Sequence, residues 1–378
     1  MSRPADTPID AATEAERLLR ICAACMYCDG YCAVFPAIAG KHGFLLAEID
    51  HLAHLCHNCR GCWYACQYAP PHPFAVNLPR TLAAVRQESF ARHVRPRWLA
   101  GAFARTGWIV AVVVGAVTLA ALTLVLIAVP PEILLGVHTS GGAFYRVVPW
   151  GIMTAAAGLS FAWAVVAVAA ATLAFWRTIG PRAPLRIVLR ALPAALADVV
   201  TLRNLGGGGH GCNDTGEKLS GERRASHHVL VAGFALTILS TVSAALLHHV
   251  TGVPAPYPVV SLPVLAGTLG GVLMLVGVAG LAAVETRADR EPAAPAEIRM
   301  NIVLLALLAA TAASGLAVLG LRATAAMGLA LTLHLGVVVG TFLVLPATKM
   351  LHAPFRAAAL LRAAIDRLIA PPRRSGGE

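Results

Sequence analysis

Residues 108–129 read WIVAVVVGAVTLAALTLVLIAV, 22 positions without one ionisable side chain. A helix needs about 20 apolar residues to cross the hydrocarbon core of a bilayer. Five further runs of this kind follow, at 150–176, 228–250, 259–284, 301–320 and 324–348. Trp108, Trp150 and Trp176 stand at run ends, where interfacial aromatics collect. The number and length of the runs exclude a soluble helical core. The fold class expected is all-α. A polar N-terminal domain over 1–100 precedes a six-helix transmembrane bundle over 101–350, and a C-terminal tail covers 351–378.

Composition agrees. Of 378 residues, 57% are apolar and 13% charged, against about 25% charged in a soluble domain. Lys and Arg number 30 and Asp and Glu 19, a formal charge of +11. The excess flanks apolar runs, so it reads as a topology signal rather than a nucleic-acid surface. Alternate inter-run segments hold 28 and 2 of the Lys and Arg residues. The positive-inside rule then puts both termini in the cytoplasm. The linker 177–227 carries Arg177, Arg182, Arg186 and Arg190 around Leu185, Ile187, Val188 and Leu189, the pattern of an interfacial amphipathic helix. Gly206 to Gly209 reads as a flexible turn; it lacks the Lys-Ser/Thr ending of a phosphate loop.

The chemistry is concentrated at the N-terminus. Cys22, Cys25, Cys28 and Cys32 are spaced C-x2-C-x2-C-x3-C, and Cys56, Cys59, Cys62 and Cys66 repeat the spacing. In bacterial ferredoxins three cysteines of such a run hold one [4Fe–4S] cluster, and the fourth reaches across to the other. Two clusters are expected, one on Cys22, Cys25, Cys28 and Cys66, the other on Cys56, Cys59, Cys62 and Cys32. The proline that commonly follows the fourth cysteine is replaced by Ala33 and Gln67, with Pro36 and Pro70 a little later. Phe44–Leu55 has apolar residues at helical spacing, so a helical ferredoxin-like domain is expected. Zinc sites favour paired C-x2-C units, and disulfide scaffolds favour small secreted chains; neither describes this pattern. His51, His54 and His57 read as residues that shield or hydrogen-bond a cluster. Cys212, in His210-Gly211-Cys212, reads as a loop thiol.

Ionisable groups inside spans are costly and commonly functional. The third run opens at His227-His228 and closes at His248-His249; the sixth contains His334, with His352 just beyond Lys349. Membrane haem iron is commonly held by two imidazoles on facing helices. His334 and His352 are 18 residues apart, five whole turns and about 27 Å if the helix continues past Pro346. Antiparallel runs three and six would then pair His228, or His227, with His352 near the cytoplasm. They would pair His249, or His248, with His334 in the outer half. One or two b-type haems are expected. The bland alternative puts the terminal histidines among headgroups and bonds His334 to a backbone carbonyl.

The chain resembles the tricarballylate utilization protein B family, also called citrate utilization protein B. The resemblance rests on CAACMYCDGYCAVFP at Cys22–Pro36 and LCHNCRGCWYACQYAPPHPFAVNLP at Leu55–Pro79. It extends to Arg224–His228, Leu247-His248-His249, Pro254–Tyr257, Ala325–Leu329 and His334-Leu335-Gly336. Leu345–Pro354 is locally similar to the haem-bearing gamma subunit of respiratory nitrate reductase. The resemblance implies a multi-pass protein of the bacterial cytoplasmic membrane. Such a protein reoxidises the reduced flavin of a separate FAD-dependent tricarballylate dehydrogenase and passes electrons through clusters and haem to quinone. The chain has no Gly-x-Gly-x-x-Gly fingerprint after a strand, so no dehydrogenase site of its own is expected. A redox sensor, or an anchor subunit for a different dehydrogenase or reductase, is the alternative. A transporter fits less well, because the spans contain almost no carboxylates.

Overall fold

The computed structural model describes residues 10–180, 183–205 and 211–369; Arg182, the glycine run and His210 lie outside them. Among the described residues there is no strand, only an isolated bridge between Cys212 and Ser220. The N-terminal domain contains α1 (Ala11–Cys25), α2 (Val34–Ile38), α3 (Leu46–Leu55), α4 (Gly61–Tyr64) and α5 (Leu78–His93). Its core gathers Leu18, Leu19, Ile38, Leu52, Leu55 and Leu82, all essentially inaccessible. Each such side chain contributes roughly 1.5–3 kcal/mol by leaving water. Helix α5 starts where Asn77 accepts a hydrogen bond from the Arg80 amide at 3.2 Å, capping an otherwise orphan donor.

The bundle follows. Its long helices are α6 (Thr106–Ala128), α9 (Trp150–Ile179), α11 (Glu222–Thr251), α12 (Leu262–Arg287), α13 (Pro295–Leu321) and α14 (Met327–Val344). Short helices α7 (Pro131–Leu134) and α8 (Ala143–Val147) link α6 to α9. The six are long and apolar enough to span a membrane. Their outward faces leave Ile127, Leu159 and Val250 more than 70% exposed, as expected of side chains whose solvent is lipid.

Two segments differ from the sequence expectation. The sixth run is not one helix. After α14, Leu345–Ala347 forms a 3₁₀ turn, Thr348 is extended, and Lys349–Leu351 forms a second 3₁₀ turn. Pro346 lacks the amide that would continue the α ladder. The phase relation between His334 and His352 therefore does not apply. The expected C-terminal tail also begins with helix α15 (His352–Ile369). Its Ala359, Leu360 and Ala363 belong to the core of the cysteine domain. Helix α10 (Leu185–Thr201) is the amphipathic linker helix. Its Ala191 and Ala195 pack on Ala364 and Ile365 of α15, while Leu185, Leu189 and Val200 face outward.

Candidate functional site

The cysteines fall into two neighbourhoods. Cys22, Cys25, Cys28 and Cys66 line one cavity, with Cys62, Met26, Tyr27 and Tyr68 also on its wall. Cys32 is electrostatically close to Cys56 and Cys59, and Cys62 to Cys59, Cys56 and Cys32. Cys28 is also close to Cys59 and Cys62, so the two sets adjoin. Left-handed backbone at Met26, Asn58 and Arg60 turns the short loops. Burial first, then repulsion from neighbouring thiols, pushes Cys22 and Cys28 up to about 12. Such groups exist as thiolates only with a compensating cation, as cluster iron supplies. Among the described residues no three ligand-type side chains converge on a single-ion site. A four-iron cube instead needs thiols set around a space, which is how the first set is arranged.

The second set is tied to the bundle. The Cys56 carbonyl accepts hydrogen bonds from Arg86 Nη2 and Arg356 Nη2, each at 2.9 Å. Arg86 Nε donates to the Ala53 carbonyl at 2.9 Å, and its Nη1 meets Glu297 Oε1 at 2.6 Å. Lys349 Nζ reaches the same carboxylate at 2.9 Å and also bonds Asn301. Asn58 Nδ2 donates to Glu297 Oε2 at 3.0 Å. Glu297 opens α13, Lys349 follows the α14 break and Arg356 is on α15, so one buried network clamps three elements to the cysteine loop. The sequence reading missed these residues because charges beside apolar runs look like topology signals. One signal was available: Arg356 follows His352 by four residues, one helical turn.

The linker closes over the same loop. The Asn213 amide donates to the Cys59 carbonyl at 2.9 Å, and Arg60 donates to the Asp289 carbonyl at 3.0 Å. Asp214 pairs with Arg223 at 2.6 Å. Gly211 has φ +142°, and an added Cβ there would lie 2.3 Å from the Ser220 carbonyl oxygen. Cys212 is buried beside Cys59 and Leu205.

The histidines separate by role. His51 Nε2 donates to the Ala359 carbonyl at 3.0 Å. His54 bonds Ser89 at 3.1 Å inside a cage of Phe90, Phe175 and Phe355. Both join the cysteine domain to its neighbours. His57 Nδ1 donates to the Leu55 carbonyl at 2.9 Å, and its buried Nε2 has no hydrogen-bond partner.

Of the first doublet, His227 faces His352, with ring centroids 6.4 Å apart and planes at 86°. Two imidazoles bonded to one metal from opposite sides, at about 2 Å each, place their ring centres roughly 6 Å apart. His227 Nδ1 is buried without a hydrogen-bond partner. His352 Nδ1 donates to the Lys349 carbonyl at 2.6 Å, which leaves Nε2 as the nitrogen with a free lone pair. Burial, reinforced by Arg356 and Lys349, holds His352 well below the ordinary histidine range, hence neutral, as an iron ligand must be. His228, the alternative member, instead bonds the Val200 carbonyl at 3.0 Å.

The expected outer pair is not brought together. His334 Nδ1 lies 2.9 Å from Ser314 Oγ on α13, with its ring against Gly315. His248 stacks on Trp150 at 5.1 Å and lies 3.3 Å from the Tyr145 hydroxyl; His249 meets the Trp150 edge. Helix α11 packs mainly on α12, whereas α14 packs on α6, α13 and α9.

These features define a class: a multi-pass, all-helical membrane protein with an N-terminal ferredoxin-like cysteine domain. The citrate utilization protein B profile matches residues 103–373, and the profile of that family's Fer4-like domain matches residues 15–92. Citrate utilization protein B of Escherichia coli is 36% identical over 359 residues, covering 94% of this chain and 92% of its own. The chain belongs to the citrate utilization protein B family. No solved structure matches it. The family and its ferredoxin-like domain point to a role in electron transfer.

Proposed function

We propose that this protein takes electrons from the reduced flavin of a separate tricarballylate-type dehydrogenase and delivers them to membrane quinone. Two [4Fe–4S] clusters, on the crossed cysteine sets, and b-type haem would supply the one-electron chemistry. The observation that supports this reading most is the pair His227 and His352, 6.4 Å apart. One helical turn along α15 from His352, Arg356 bonds the Cys56 carbonyl. A haem-competent pair and the second cysteine set are thus neighbours. In this reading His227 and His352 would hold the haem iron, and the Lys349 carbonyl would fix the His352 tautomer. Arg86, Arg356 and Asn58 hold the second loop against the membrane domain. A cytoplasmic-membrane location, with both termini in the cytoplasm, follows from the distribution of Lys and Arg.

The test is a dithionite-reduced minus oxidised optical spectrum of the detergent-purified protein, with iron and haem assays made anaerobically. The reading expects a sharp b-type band and about eight non-haem irons. Cluster iron without haem would leave the histidines structural and favour direct transfer from clusters to quinone.

A further inference from the structure

The two cysteine sets differ in surroundings, and the difference bears on which of them retains an electron; the inference rests on the reading of both as [4Fe–4S] sites. Around the outer set, Cys22, Cys25 and Cys66 are partly exposed. The cations on the adjoining helix α1 are neutralised locally, Arg17 by Glu14 and Arg20 by Glu16, each at 2.6 Å. Gln67 Nε2 approaches Cys25 Sγ at 3.9 Å.

The inner set is different. Cys56 and Cys59 are buried and Cys32 and Cys62 half-buried, against one buried cysteine, Cys28, in the outer set. The Cys56 carbonyl accepts from two guanidinium groups at 2.9 Å, and the Asn58 amide points to Cys56 Sγ at 3.4 Å. Lys349 adds a third cation and Glu297 a carboxylate to the same network. Glu285 joins the network through Asn301, and on the linker side Arg60 and Arg223 are balanced by Asp214 and Asp289, so the charges beside this loop sum to +1.

A reduced cluster carries one more negative charge than an oxidised one. Removal from water disfavours the more charged form, and neighbouring cations favour it. Burial alone would make the inner site the harder to reduce, and electrons entering from outside would stay in the outer site. We infer that Arg86 and Arg356 reverse this order and make the inner site the preferred resting place of the electron. Each passage moves one electron: the outer site is oxidised as the inner site is reduced. Two such passages empty a two-electron flavin donor. Arg86 and Arg356 act through the Cys56 loop and are positioning residues.

An EPR-monitored redox titration of the full-length protein in detergent tests this, with Cys25→Ser identifying the outer signal. In the unaltered protein the inner signal is expected to appear first on reduction. Arg356→Gln removes one cation and leaves Arg86 to hold the loop. The electron distribution should then move about tenfold toward the outer site, which for one electron is about 59 mV. The outer signal should stay in place, and Arg356→Lys should restore most of the shift. If Arg356→Gln loses its iron, Arg86→Gln serves instead. It keeps Arg356 on the Cys56 carbonyl and Lys349 on Glu297, so the positive charge beside the loop falls by one and the shift is expected in the same direction. An outer signal that appears first, or a substitution that moves both signals equally or neither, would overturn the inference while leaving the two clusters standing. Absence of any four-iron signal would overturn the cluster reading and this inference with it.

Discussion

His227 and His228 are neighbours in sequence and part ways in space, which gives the haem reading a test at the level of one side chain. His227 faces His352, whereas His228 spends its Nε2–H on the Val200 carbonyl. His227→Ala and His352→Ala should each abolish the haem band that the pair produces, with non-haem iron kept at eight per chain. His228→Ala should keep the band. A pyridine haemochromogen assay on the three variants decides, and loss of haem in His228→Ala alone would refute the assignment. The doublet was visible in sequence, but the choice within it was not, because it depends on where α10 ends beside α11. Titration adds a second residue-scale prediction. Burial, outweighing the bond to Ala359, lowers the folded His51 imidazole from 6.5 to about 4. Below pH 6.5 the unfolded chain therefore binds a proton that the folded chain does not. The stability held by neutral His51 is complete above that pH and declines as the pH falls toward 4, by about 3 kcal/mol in all. His51→Gln keeps a donor for the Ala359 carbonyl without titrating. Thermal melts at pH 7, 6 and 5 should show a shallower decline for this variant.

At the scale of elements, contact between α11 and α12 sets where His227 can be. Both helices carry glycine at the crossing. A Cβ on Gly277 would lie 2.5 Å from the Leu230 amide nitrogen, and one on Gly233 would lie 2.5 Å from the Met274 amide nitrogen. These are backbone approaches that no rotamer change can relieve, so the axes must separate. Leu230 is three residues beyond His227, on the same helical turn. Gly277→Ala should therefore displace His227 and lower haem occupancy several-fold, with cluster iron intact. Gly115→Ala is the control, since nothing lies within 4 Å of the added atom. Haem-to-protein ratios after identical purification measure the effect. The apolar runs located all six long helices, since lipid demands uninterrupted backbone pairing. The α14–α15 break was legible only as a proline. What it accomplishes, turning His352 toward α11, requires the tertiary arrangement.

Across the whole molecule, cysteine domain and bundle share a joint that neither end of the sequence announces. Phe355 of α15 stacks on Phe175 of α9 at 4.5 Å and packs beside His54 and Phe90 of the cysteine domain. Over the next two turns, Ala359, Leu360 and Ala363 complete that domain's core. The eight cysteines announce their chemistry because cluster binding imposes short, regular spacing on one stretch of chain. The joint leaves no such trace: its residues come from segments roughly 300 positions apart, and α15 alone reads as an ordinary amphipathic helix. Residues 10–100 are therefore not expected to hold their clusters unaided. A chain ending at Leu351 lacks Phe355, which carries an aromatic removal cost of about 3–5 kcal/mol. It also lacks the Arg356 bonds to the Cys56 and His54 carbonyls and the lone-pair donor His352. That chain should lose non-haem iron and haem together, although every cysteine is present. Leu368→Ala, at a half-exposed position near the end of α15, should lose neither. Iron and haem assays on the two proteins distinguish a shared core from a tethered domain, because a domain that folded on its own would keep its eight irons in the shortened chain.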